Sequence, residues 1–225
     1  MKLYCFYNDA HKVLFDNWFK PSIKDDFEIK DKILTDDVID ITHKNNDFYK
    51  ICIFKIDHIL EAIEENINNN EIFLYFDVDI QFFGKIEDRI EELMKDNDIL
   101  FQKGGRSINI GMIVCRSSEK TKQFWLNVKT ELIKTKLNDE NICRYLLGLD
   151  NKVDQHCNYY KRNNKYSIKW NYLPEKEFVG GHIVSISTSE DIFKKIPKEI
   201  LVHHASYTMG LENKIKQLTY VKVNL

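Results

Sequence analysis

Ile72–Phe76 is a run of five apolar residues, and Asp77-Val78-Asp79 follows at once. A strand that is apolar on both faces is covered on both faces, as strands are inside a parallel sheet flanked by helices. Other stretches fit that frame. Leu3–Tyr7 is a short apolar run stopped by Asn8-Asp9 and reads as a first buried strand; His11–Phe19 then reads as a helix that Pro21 ends. Phe48, Ile51, Ile56, Ile59, Leu60, Ile63 and Ile67 carry helical spacing through 47–67. Ile86, Ile90, Leu93 and Met94 mark another helix after Gly84, and Ile99–Phe101 and Ile110–Cys115 read as strands. Ser117-Ser118 caps a long helix with the stripe Phe124, Trp125, Val128 and Leu132, and Glu140–Leu147 is a shorter helix. Ile183–Ile186 and Ile200–Val202 are expected to be short strands.

Strands alternating with helices predict an α/β fold with a mostly parallel sheet and helices on both faces, followed by a small C-terminal mixed region. The 225 residues suit one domain, 43% of them hydrophobic and 14 of them Phe, enough for a sizeable core. Three prolines and eight glycines, well separated, leave no obvious linker. In such sheets ligands bind beyond the carboxyl ends of the strands, where Asp77 and Asp79 fall.

Charge narrows the partners. With 33 basic and 35 acidic residues the formal net charge is −2, and no Lys/Arg cluster interleaves with aromatics, so nucleic acid is not expected as a partner. No apolar run approaches the ~18 residues of a membrane span, and the start is too short for a signal-peptide core. Cys5, Cys52, Cys115, Cys143 and Cys157 are odd in number and lack a CxxC pair, as expected of free thiols in a reducing compartment. The expectation is a soluble, cytoplasmic protein.

Chemistry concentrates at a few points. Two carboxylates two residues apart, at the end of a covered strand, carry a desolvation cost of several kcal/mol that a bound cation offsets. Mg²⁺ and Mn²⁺ prefer oxygen ligands and leave positions open for substrate phosphates. The competing reading of Asp77 and Asp79 is a strand-end acid pair that caps a turn or meets a lysine. Asn109-Ile110-Gly111 precedes an apolar strand; Gly111 allows close backbone approach to a ligand and Asn109 offers an amide to sugar hydroxyls. Asp154-Gln155 sits in a polar stretch and is either a site or a surface loop. His203-His204 follows a short apolar run, so one ring can face a metal while the other packs away. Gly210 and Lys214 downstream read as a loop closing over phosphate.

Taken in order, Phe76-Asp77-Val78-Asp79, Asn109-x-Gly111, Arg116-Ser117, Lys122–Trp125, Asp154-Gln155 and His204–Lys214 resemble the nucleotide-diphospho-sugar transferases. These are DxD glycosyltransferases of the GT-A fold. The length resembles the single glycosyltransferase domains of large DNA viruses, which would place the protein in a host cytoplasm. The resemblance implies a nucleotide-binding half over about 1–105 and a donor-sugar and acceptor half over about 106–225. It implies a UDP-sugar donor such as UDP-glucose, a glycan or glycoprotein acceptor, and Mn²⁺ or Mg²⁺ on Asp77, Asp79 and His204. Asp79 would be the direct ligand and Asp77 would be shared with the ribose. Lys214, with the backbone around Gly210, would hold the diphosphate, and Lys55 would face the donor. Asn8 and Asp9 would lie near the uridine; Asn109, Asp154 and Gln155 would face the donor sugar and acceptor. Asp154 is the carboxylate expected to act as base if the reaction inverts. Ser206 departs from the pattern, which has Asn there.

Two other functions fit the triplet. An aspartyl-phosphate phosphatase uses a D-x-D after an apolar strand, but usually on the first strand of the chain. A non-catalytic nucleotide-sugar binding module is the other. The stretch Asn158–Glu177, with Tyr159, Tyr160, Trp170 and Tyr172, is where an acceptor is expected to dock, unless those rings form a satellite core.

Overall fold

The computed structural model describes residues 1–35, 48–105, 107–149, 166–184 and 196–225. In chain order the strands are β1 (Lys2–Asn8), β2 (Glu28–Leu34), β3 (Ile72–Phe76), β4 (Ile80–Phe82), β5 (Ile99–Gly104), β6 (Ser107–Arg116), β7 (Trp170–Tyr172), β8 (Phe178–Gly180) and β9 (Val202–His204). The helices are α1 (Lys12–Leu14), α2 (Lys20–Ser22), α3 (Phe48–Asn66), α4 (Glu87–Leu93), α5 (Glu119–Thr135), α6 (Asp139–Leu146) and α7 (Leu211–Val223).

A six-stranded sheet runs β2-β1-β3-β6-β5-β7. Neighbours are parallel except for β6, which runs antiparallel to both β3 and β5. Because side chains alternate along a strand, the two faces bury different sets. Tyr4, Phe73, Tyr75, Phe101 and Ile113 pack with Ile56 and Ile59 of α3 and Phe124, Trp125 and Val128 of α5. Leu3, Cys5, Leu74, Phe76, Leu100 and Met112 pack with Phe15, Phe19, Ile90 and Leu218 on the other face. A small sheet, β4-β9-β8, covers that second face. The five apolar residues of β3 are thus divided between two cores, as their lack of alternation predicts.

Several boundaries differ from the sequence reading, each for a physical reason. Pro21 does not stop the first helix; it sits in the first turn of α2, where its missing N–H costs nothing, and a π-helical turn over Phe15–Phe19 leads into it. Strand β2 carries Glu28, Lys30, Asp31 and Lys32 among its seven residues and lies at the sheet edge, so it shows no long apolar run. The expected strand at Ile183–Ile186 is a turn at Ile183-Val184, and Ser185 and Ile186 lie outside the described residues. The expected strand at Ile200–Val202 lies two residues later, as β9, which places both histidines inside a strand. Ser118, not Ser117, is the N-cap of α5, in a reciprocal capping box with Thr121.

Candidate active site

The cleft opens at the carboxyl end of β1 and β3. Its volume is about 580 Å³, and Asn8, Lys55, Asp77, Asp79, Asn109, Glu140, His204 and Lys214 are among the residues that line it. Three strand ends build its centre. Beyond β3, the Asp77 N–H donates to Gly111 O at 2.8 Å, and the Ala205 N–H donates to Asp79 O at 2.9 Å. The antiparallel register of β4 and β9 pairs Ile80 with His204, which brings that imidazole beside Asp79. Strand alternation turns His203 to the opposite face, where it is buried. Ligand atoms of Asp77, Asp79 and His204 all lie within 4.8 Å of one another.

Gly111 makes this convergence possible. The β5–β6 register slips between Phe101 and Gln102, a bulge that leaves Ile110, Gly111 and Met112 without β5 partners. A Cβ on Gly111 would overlap His204 Cε1 and stand 2.9 Å from both Asp77 Oδ2 and Asn109 Oδ1. Asn109 Oδ1 accepts from the Gly111 N–H at 2.8 Å, and Asn109 Nδ2 donates to Glu140 Oε1 at 2.8 Å.

Charges are balanced pairwise. Lys55 Nζ lies 2.8 Å from Asp77 Oδ1. Burial alone would lower the pKa of Lys55, but the Asp77 and Asp139 carboxylates outweigh it and hold the ammonium charged above its usual range. Burial would likewise raise Asp79; Lys214 on Oδ2 and His204 Nε2, 3.2 Å from Oδ1, instead hold the carboxylate well below its usual range. His11, across the cleft from this pair, is pushed down by burial, with Asp79 opposing and Lys214 adding.

Two carboxylates that the sequence reading passed over enter here. Asn138 caps α6 by accepting from the Asn141 N–H, and the first turn of α6 carries Asp139 and Glu140 into the cleft. Burial raises Asp139, with Lys55 opposing. Burial and then the Asp139 carboxylate push Glu140 up to about 7. In the sequence this Asn-Asp-Glu looks like ordinary helix-start chemistry, which is why it carried no separate signal.

Of the sequence-predicted residues, Asn8, Lys55, Asp77, Asp79, Asn109, Gly111, His204 and Lys214 meet in the cleft. Asn8 turns its side chain to the next turn, accepting from the His11 N–H at 2.9 Å. Asp9 is exposed and is not part of the lining, where His11 stands instead. Gly210 adopts φ +82° at the start of α7, one turn before Lys214. Asp154 and Gln155 lie outside the described residues, as do Tyr159 and Tyr160. Trp170 and Tyr172 form β7, in contact with the first core.

A sequence profile described as nucleotide-diphospho-sugar transferase matches residues 21–218. The chain belongs to that family. No curated protein matches the transferase by sequence. Among solved structures, a glycosyltransferase involved in glycosylation of the major capsid of PBCV-1 superimposes with a TM-score of 0.58 at 10% identity, over 99% of this chain and 100% of that one. The WbbM bifunctional glycosyltransferase gives 0.53 at 8% identity, over 97% and 49% of the two chains. GlyE of Streptococcus pneumoniae TIGR4 gives 0.51 at 11%, over 99% and 64%. At such identities the likeness speaks to the fold, which is GT-A, as the resemblance implied. Family and fold together make the protein a glycosyltransferase, similar to a viral one. Among the described residues, no helix is long and apolar enough to cross a membrane.

Proposed function

We propose that the transferase moves a sugar from a UDP-sugar to a hydroxyl of a glycan or glycoprotein acceptor, with Mn²⁺ or Mg²⁺ as cofactor. The observation that carries this reading is the convergence of Asp77, Asp79 and His204 at the mouth of β3. Two carboxylates and an imidazole suit a small divalent ion, and the buried Asp79 carboxylate faces Lys214 on one oxygen and His204 Nε2 on the other. Asp77, Asp79 and His204 would hold the ion, which supplies Lewis-acid neutralisation of the diphosphate leaving group.

The chain's own groups take the remaining roles. Lys214, which stands on Asp79 Oδ2, is the cation that would meet the diphosphate. Lys55 aims the Asp77 carboxylate through their 2.8 Å pair. The aromatic and apolar lining from Phe6, Tyr7 and Leu34 suits the uracil ring. Glu140, held by Asn109 and titrating near 7, is the carboxylate among the described residues suited to take the acceptor hydroxyl's proton. Asp154 keeps its place as a second candidate base from the sequence.

The test is a panel of nucleotide-sugars, each screened for metal-dependent hydrolysis and thermal stabilisation. A donor at a hundred times its dissociation constant adds about 2.7 kcal/mol of stability. Metal-dependent release of UDP from one sugar supports the reading. Hydrolysis of simple phosphoesters with no response to any nucleotide would overturn it. The anomer of the product, read by NMR, decides between inversion and retention.

A further inference from the structure

The atom that His204 presents to Asp79 is set from behind, by a chain of groups that runs to the surface. Gln102 is fully buried, and its side-chain oxygen lies 2.7 Å from His204 Nδ1. An amide oxygen has no hydrogen to give, so Nδ1 must carry the proton in this contact. In the neutral ring the other nitrogen, Nε2, is then bare and faces Asp79 Oδ1 at 3.2 Å. A lone pair and a carboxylate at that distance repel unless a positive centre sits between them.

The orientation of the Gln102 amide has its own support. Its Nε2 and the Nδ1 of His182 are both buried and make no hydrogen bond. Both border the space over Gly180, where a Cβ would stand 3.4 Å from the first and 2.8 Å from the second. His182 Nε2 meets Glu175 Oε1 at 2.9 Å, and Lys103 Nζ holds the other carboxylate oxygen at 2.8 Å. An ionised carboxylate only accepts, so His182 carries its proton on Nε2 and leaves Nδ1 as an acceptor. Burial would raise the pKa of Glu175, but His182 and Lys103 lower it, which keeps it ionised. Lys103 and His182 thus both donate to Glu175, His204 donates to the Gln102 oxygen, and the Gln102 N–H₂ and the His182 Nδ1 lone pair border the same space as donor and acceptor without a hydrogen bond between them. Turning the Gln102 amide over would set its oxygen toward the Nδ1 lone pair of His182. The bulge between Phe101 and Gln102 is what aims this side chain out of the regular β5 register.

We infer that Gln102 is a positioning residue that fixes His204 with Nδ1 protonated and Nε2 offered as the ligand atom, and that His182 and Glu175 orient Gln102. The inference rests on the metal reading for its purpose but not for its geometry. Outer groups that orient a ligating histidine typically contribute 10–100-fold in metal affinity.

Two measurements on the full chain test it. The first is the ¹⁵N NMR tautomer of His204 in metal-free protein, recorded above the imidazolium's titration. A proton on Nδ1 is expected; a proton on Nε2 alone would overturn the inference whatever the metal does. The second is Mn²⁺ binding followed by electron paramagnetic resonance. Gln102→Met keeps the shape and removes the acceptor, and is expected to weaken Mn²⁺ by roughly 10–100-fold. Gln102→Glu keeps an acceptor and is expected to bind at least as tightly as wild type. Wild-type affinity in Gln102→Met, or equal weakening in both variants, would also overturn it. If wild type binds no Mn²⁺ at all, the metal reading fails, and the tautomer still decides the role of Gln102. The tautomer likewise decides alone if Gln102→Met does not fold.

Discussion

Replacing Glu140 with Gln is expected to stabilise the protein increasingly as pH rises from about 4.5 to about 7. In the fold this carboxyl ionises near 7 rather than at its ordinary 4.5, because burial and the adjacent Asp139 disfavour its charge. That difference corresponds to about 3 kcal/mol against the ionised form. The folded state holds its proton longer than the unfolded chain does, so between the two values stability falls as pH rises. Below about 4.5 wild type carries no penalty, and above about 7 it carries all of it. Glutamine is neutral throughout and loses nothing across this window. Its oxygen can still accept from Asn109 Nδ2, the contact that Glu140 Oε1 makes at 2.8 Å. Any hydrogen bond it fails to replace costs about 1 kcal/mol at every pH and cancels from the slope. Urea unfolding of both proteins between pH 4.5 and 8 should therefore show the variant gaining up to about 3 kcal/mol on wild type as pH rises. At roughly 2–4 °C per kcal/mol, melting temperatures should diverge by several degrees at the alkaline end. A difference independent of pH would refute the placement of Glu140 in a buried acidic pair.

Under the proposed function, the wild-type transfer rate should rise as pH passes through about 7, where Glu140 ionises, and Glu140→Gln should flatten that rise. Asp79→Asn removes the carboxylate shared by Lys214 and His204; metal-dependent turnover should fall by at least ~10²–10³ while circular dichroism stays unchanged. Gly111→Ala places a methyl against His204 Cε1 and 2.9 Å from Asp77 Oδ2, so calorimetry should show weakened Mn²⁺ binding. Lys55→Met leaves the half-buried Asp77 and the buried Asp139 without their cation, with an expected loss of about 3–5 kcal/mol by urea unfolding. Adding Asp77→Asn should recover part of that loss.

Much of the frame was legible in the order of residues alone. Ile72–Phe76 announced a doubly covered strand because all five residues are apolar, and the stripe Phe124, Trp125, Val128 and Leu132 announced α5 because its spacing is helical. Asp77 and Asp79 stood out because ionised groups at the end of such a strand need a counter-charge. Those are local patterns, and local physics is what a sequence displays. Strands β2 and β4, and the split between one large and one small sheet, were hidden. An edge strand carries charges for solubility, and a three-residue strand is too short to show a period.

What tertiary structure decided is which distant groups share one electric environment. His204 reaches Asp79 through the β4–β9 register, Lys55 reaches Asp77 from α3, and Asp139 and Glu140 arrive from the first turn of α6. Burial there is collective, since several elements must close over a carboxylate before its proton is held near neutral pH. The same holds for Gln102, an unremarked residue on an apolar strand until a bulge turns it toward His204. The sequence by itself determined that an acid pair would end a buried strand. Only the packing of the chain determined which cations, which imidazole nitrogen and which further acids would meet it, because those choices are made by contacts between residues far apart in the chain.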